Sequence, residues 1–184
     1  MTCPALIGTA VLPYATFRFG SFLLSLLSGR GDRLEASRRL KTLPDKADRK
    51  PLNQRIQGYD LPAVRRSWGA LARDPDLLPS EERSLRLDLF FPLLYGAAFT
   101  VSLLLAWRDR ERTFAFAWLL LPVAVYMLAD WTENLAQLKQ LQRYRQAGPD
   151  ALQARGIQVA SRATSVKLLF FIGCLLLTLL VLWR

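Results

Sequence analysis

Apolar residues in this chain gather into four long blocks, at 5–28, 88–107, 114–134 and 166–183, separated by polar and strongly basic segments. About 20 consecutive apolar residues cross the ~30 Å hydrocarbon core of a bilayer as a helix. The pattern therefore predicts an all-α integral membrane bundle of four transmembrane helices, the first of them open, in one membrane domain over residues 1–184. The block at 5–28 is interrupted by Pro13, Tyr14 and Arg18. It reads as a span, as an interfacial helix, or as sequence upstream of the true start. It lacks the basic start of a secretory signal peptide.

The other blocks are more regular. The second opens at Asp88 after Ser80, Glu81 and Glu82, which suit a helix N-terminus. Pro92 removes one backbone hydrogen bond and kinks that helix. The six residues 108–113 force the third block to return antiparallel. Its helix continues beyond Asn134 as an amphipathic extension, with Leu135, Leu138 and Leu141 on the apolar face, and stops at Gly148-Pro149. The last block is short, so its helix must borrow Val166 and Lys167, with Lys167 snorkelling.

Residues 29–87 form a basic cytoplasmic loop with short amphipathic helices. Asp60 is placed to cap one of them, with Pro62 in its first turn. On it, Leu61, Val64, Trp68 and Leu71 form an apolar stripe flanked by Arg65, Arg66 and Arg73. A basic helix with a tryptophan suits a membrane surface. A helix docked on the protein's own spans has the same pattern, and the two readings stand level.

Charge fixes the orientation. Residues 29–87 carry 14 Lys and Arg and residues 135–167 carry six, against three in 108–113 and Arg184 at the end. Alternate loops share a side, so the positive-inside rule makes the 29–87 side cytoplasmic. The net charge of +10 flanks apolar blocks, which points to anionic phospholipid and not to nucleic acid. The two cysteines, Cys3 and Cys174, lie far apart without a CxxC, and Cys174 reads as small apolar packing. Histidine is absent, and so are a P-loop, GxSxG and HExxH, so an enzyme is the least supported class.

Polar residues inside the blocks are the candidate chemistry. Asp88, Pro92, Tyr95 and Ser102 lie on one helical stripe, and Tyr126, Asp130, Glu133 or Asn134, and Gln137 on another. With the orientation above, Asp88, Tyr95, Asp130, Glu133, Asn134 and Lys167 meet at the cytoplasmic leaflet. Carboxylates near hydrocarbon mark a site by default. One reading is structural, with Asp130 and Glu133 paired to Lys167, Arg18 or a loop arginine. The other is a pocket for a lipid headgroup, small ligand or cation, with oxygen ligands suited to Mg²⁺ or Ca²⁺. The same alternatives carry to function: a structural or interaction subunit with a basic cytoplasmic face, alone or as a homo-oligomer or with a membrane-protein partner, or a ligand-binding membrane protein.

The segments DLFFPLLY, from Asp88 to Tyr95, and DWTEN, from Asp130 to Asn134, carry a resemblance. They resemble an uncharacterised group of bacterial four-span membrane proteins in which D-x-x-F-P-x-x-Y opens one span and D-x-x-E-N closes the next. The resemblance covers about Tyr59 to the C-terminus. It implies a multi-pass protein of the bacterial inner membrane and implies no chemistry.

Overall fold

The computed structural model describes residues 30–55, 57–108 and 116–183. The first apolar block, with Cys3 and Arg18, and most of the 108–113 connection lie outside the described residues. The described chain is all-helical, with no strand among its residues: α1 (Arg30–Lys41), α2 (Leu61–Leu71), α3 (Leu77–Asp88), α4 (Phe91–Arg108), α5 (Phe116–Ala147) and α6 (Ala154–Trp183), with short 3₁₀ turns between α1 and α2 and between α5 and α6. Among the described residues, two helices are long and apolar enough to cross a membrane: Leu77–Leu104, taken across its break, and Ala154–Leu180. Helix α5 carries Asp130 and Glu133 within its first 18 residues, which lowers its apolar character.

Two hydrophobic cores divide the fold. One joins α1, α2 and α3 to the C-terminal half of α5 and the start of α6, around Val64, Trp68, Leu85, Leu141 and Ile157. The other joins α4, the N-terminal half of α5 and the rest of α6, around Phe99, Leu103, Tyr126 and Cys174. We call the first half the cap and the second the bundle. The outside of the bundle is apolar too: Leu93, Leu121, Leu128, Leu169, Leu176 and Leu180 are each about half exposed or more. Soluble monomers rarely leave so large an apolar surface uncovered.

Residues 30–55 and 57–87 thus belong to a folded cap and are not merely a loop. Asp60 caps α2 as expected, accepting from the Ala63 N–H at 2.8 Å, with Pro62 in the first turn. The turns ahead of α2 are held by a buried clasp. The Arg55 guanidinium donates to Asp48 Oδ1 at 2.7 Å, to the Asp48 carbonyl at 3.0 Å and to Ser67 Oγ at 2.7 Å. Arg66 meets the other Asp48 oxygen at 2.5 Å. Burial pulls the Arg55 guanidinium below its ordinary value, opposed by the Asp48 charge, while the Asp48 hydrogen bond raises Arg66.

Two expected boundaries and part of one helix face shift. Helix α3 begins at Leu77, so Ser80 lies within it and Asp76 holds the N-cap position. Leu77 is buried in the cap core, and Pro79 sits in the first turn, where a missing N–H is harmless. Helix α6 begins at Ala154, 12 residues before Val166, because Ile157 and Ala160 pack into the cap core. On α5, Leu135 is 54% exposed while Gln137 and Gln140 are buried. Leu141 is buried in the cap core and Leu138 packs against it, as expected, so the buried face of the extension carries both these leucines and the two amides. Gly148 ends α5 as expected, at φ +79°, a conformation glycine adopts without strain.

Helices α5 and α6 pack along most of their length and pass through both halves. With 32 and 30 residues, they measure about 48 and 45 Å. Everything between cap and bundle is therefore hung on two continuous rods.

Candidate functional site

The polar residues lie in the layer between the two cores. Lys167, 14% exposed, extends from α6 to α5, where its ammonium meets Asp130 Oδ1 at 3.1 Å and also pairs with Glu133. The residues 130, 133, 134 and 137 share one face because three- and four-residue steps return to the same side of a helix. Asn134 donates to Asp130 Oδ1 at 3.1 Å, and Gln137 donates to Glu133 Oε1 at 3.0 Å. Thr164, three residues before Lys167 on α6, donates to the same Glu133 oxygen at 2.8 Å. The amide of Gln137 also reaches the Tyr59 hydroxyl in the cap at 2.7 Å. Burial first, and the Glu133 charge second, hold the Tyr59 phenol above its usual value.

Tyr59 reaches this layer because Gly58 turns the chain with φ +79° and the Tyr59 N–H donates to Ser161 Oγ at 2.8 Å. The network therefore ties α5, α6 and the approach to α2. Two of its members, Tyr59 and Thr164, were not anticipated. The glycine before Tyr59 and the i−3 spacing of Thr164 from Lys167 are the signals that could have found them.

The two motif segments meet through the proline break. Pro92 has no N–H to give to the Asp88 carbonyl four residues back. Asn134 supplies the missing donor, its amide 3.4 Å from that carbonyl. The next carbonyl, of Leu89, accepts from the Trp131 indole at 2.8 Å. So D-x-x-F-P breaks the helix, and Trp131 and Asn134 of DWTEN satisfy the exposed carbonyls. The chain breaks at Leu89 and Phe90, just ahead of Pro92, and the repair of that break is a second role for α5.

A cavity of about 700 Å³ runs through the junction. Asp32, Ser37 and Gln54 line it in the cap, and Tyr95, Tyr126 and Phe171 in the bundle; Asp88, Asp130 and Lys167 lie between. Asp88 and Asp130 thus border the same space. Glu133 and Asn134 are fully buried and sit behind it, not on its wall. Among the described residues no group of three or more acidic or cysteine side chains is placed to hold a metal ion. Asp88, Asp130 and Glu133 do not form the expected cation cage, since an ammonium already lies between the latter two.

The residues expected at a membrane surface divide. Arg65, Arg66 and Arg73 are exposed, with Arg65 paired to Asp150 at 3.1 Å. Trp68 is 1% exposed and lies in the cap core, edge-on to Tyr144 at 5.7 Å. The apolar stripe of α2 packs on the protein's own helices, against α1, α6 and α3, with Tyr144 of α5 at the Trp68 ring. Cys174 is buried in the bundle, as small apolar packing requires.

No family model matches the chain, and no curated protein or solved structure matches it.

Proposed function

We propose that this chain is a multi-pass protein of the bacterial inner membrane that binds a ligand at the junction of its cytoplasmic cap and its membrane bundle. The crossing helices are α4, the first part of α5 and the second part of α6, with 5–28 as a fourth span. The exposed apolar belt on α4, α5 and α6 supports the membrane placement. The concentration of Lys and Arg in 29–87 and 135–167 supports a cytoplasmic cap, resting on anionic phospholipid through side chains such as Arg65, Arg66 and Arg73.

The observation that carries the binding reading is the cavity. Its volume of about 700 Å³ falls in the ordinary range for small-molecule sites, about 300–1,000 Å³. It combines aromatic walls with a few charged groups, as such sites do. A second reading, a structural or interaction subunit, is favoured by the pairing of Asp130 and Glu133 with Lys167. Asp130→Asn separates the two. The binding reading expects a purified, folded variant that has lost a ligand retained by the wild type in native mass spectrometry. A variant that changes only in stability or assembly, with no ligand on the wild type, refutes binding.

A further inference from the structure

The described charged groups on the cavity wall are already engaged. Asp130 and Lys167 pair with each other, and Asp88 and Glu81 have partners of their own. Asp32 sits in the first turn of α1, where the helix end favours a carboxylate. What is left unmet is neutral. Trp68 lines the cavity and is 1% exposed, and its indole N–H has no acceptor among the described residues. Asn53 lines the same cavity, and its side-chain oxygen is buried with no donor among the described residues. A buried donor or acceptor left unmade is costly, and a bound molecule that meets both removes that cost.

A hydroxyl is a neutral group that both accepts and donates. Trp68 and Asn53 belong to the cap, where Ser37 and Ser84 add hydroxyls to the wall. The far wall, in the bundle, includes Phe91, Tyr126 and Phe171, whose ring bodies suit hydrocarbon. Resting on the binding reading above, we infer that the ligand is an uncharged amphiphile with a hydroxylated head. Its head lies in the cap, where an oxygen accepts from Trp68 and an O–H donates to Asn53. Its apolar part lies among Phe91, Tyr126 and Phe171. An ionised head would give up its hydration for a wall whose described charges are already matched. The Asp130–Lys167 pair borders the same space, so Asp130→Asn turns part of the lysine charge toward an uncharged ligand. A lipid with a free glycerol hydroxyl and a water-soluble alkyl polyol share this chemistry.

The test uses the full chain in nanodiscs of phosphatidylcholine, whose head has no hydrogen-bond donor, exchanged until mass spectrometry finds no other lipid. Four probes are titrated calorimetrically against empty-disc blanks: 1-O-octylglycerol, its 2,3-di-O-methyl ether, octylamine and octanoate. Octylglycerol should bind saturably, about fivefold tighter than the dimethyl ether, which accepts but cannot donate, as one neutral hydrogen bond supplies. Octylamine and octanoate should bind at least about tenfold more weakly than octylglycerol. Asn53→Ala should erase the advantage of octylglycerol over the dimethyl ether, and Trp68→Phe should weaken both about fivefold. The Asn53 variant keeps the test decisive if Trp68→Phe does not fold. With diacylglycerol in the discs, lost octylglycerol binding identifies a lipid as the source and unchanged binding a water-soluble alcohol; both support the inference. Either ionic probe binding as tightly as octylglycerol, or octylglycerol binding untouched by both variants, overturns the hydroxylated class and leaves a cavity that binds something else. Saturable binding by none of the four overturns the binding reading itself.

Discussion

Replacing Lys167 by methionine tests the network that joins cap to bundle. The substitution keeps the length and apolar stem of the side chain and removes only the ammonium. Its two partners are almost wholly buried, Asp130 at 8% and Glu133 at 0% side-chain exposure. The donors that remain are Asn134 to Asp130, and Gln137 and Thr164 to Glu133. They are neutral and cannot offset two facing carboxylates. Removing one partner from a buried ion pair costs about 3–5 kcal/mol. At about 2–4 °C per kcal/mol for a chain of this size, the melting temperature should fall by roughly 6–20 °C. The assay is thermal melting by circular dichroism in one detergent at fixed pH. The neutral triple variant, Lys167→Met with Asp130→Asn and Glu133→Gln, should recover most of the loss, because a buried ionic group replaced whole is often near neutral. A single variant within about 2 °C of wild type, or a triple variant no better than the single, refutes the reasoning.

Arg55→Ala leaves buried Asp48 with the exposed Arg66 as its one charge partner among the described residues; a loss of about 3 kcal/mol is expected, read as faster hydrogen exchange in α2. Gly58→Ala places a side chain at φ +79° and against Ser161 Oγ, so about 1–3 kcal/mol of destabilisation should appear in the same melting assay. Trp131→Phe removes the donor to the Leu89 carbonyl and should cost about 1 kcal/mol, with increased exchange confined to the residues around the α3–α4 break. Reporter fusions after Trp107 and after Gly148 should report opposite sides, with Gly148 cytoplasmic; the reverse sign overturns the orientation.

The polar stripe on α5 was legible because helical spacing alone puts Tyr126, Asp130, Glu133 and Gln137 on one face, whereas Asp88 ends α3 and Tyr95 lies on α4 beyond the break, so those two share a cavity and not a helix face. That Lys167 would join them followed from the antiparallel return of the blocks. The cap was only partly legible. Its Arg55–Asp48–Ser67 clasp brings together positions with no common period, so periodicity has nothing to detect. On the extension of α5 the spacing of Leu138 and Leu141 marks the buried face, but Leu135 is exposed, and Gln137 and Gln140 share that face because Glu133 accepts from the first and the second accepts from the Gln153 N–H, partners that periodicity does not show. Trp68 sat on a stripe equally fit for lipid or protein, and only the partners of α2 decide between them. The repair of the Pro92 break by Trp131 and Asn134 was hidden because each motif looks self-contained until the helices are adjacent.

Helices α5 and α6 run unbroken from bundle to cap, so the cap cannot swivel independently of them. Bilayers of different thickness tilt their spanning helices by different amounts. A change of ~10° in that tilt would carry a point ~20 Å along the rods sideways by about 3 Å. On the membrane placement proposed above, such a lever makes membrane thickness a mechanical input to whatever the outer end of the molecule touches.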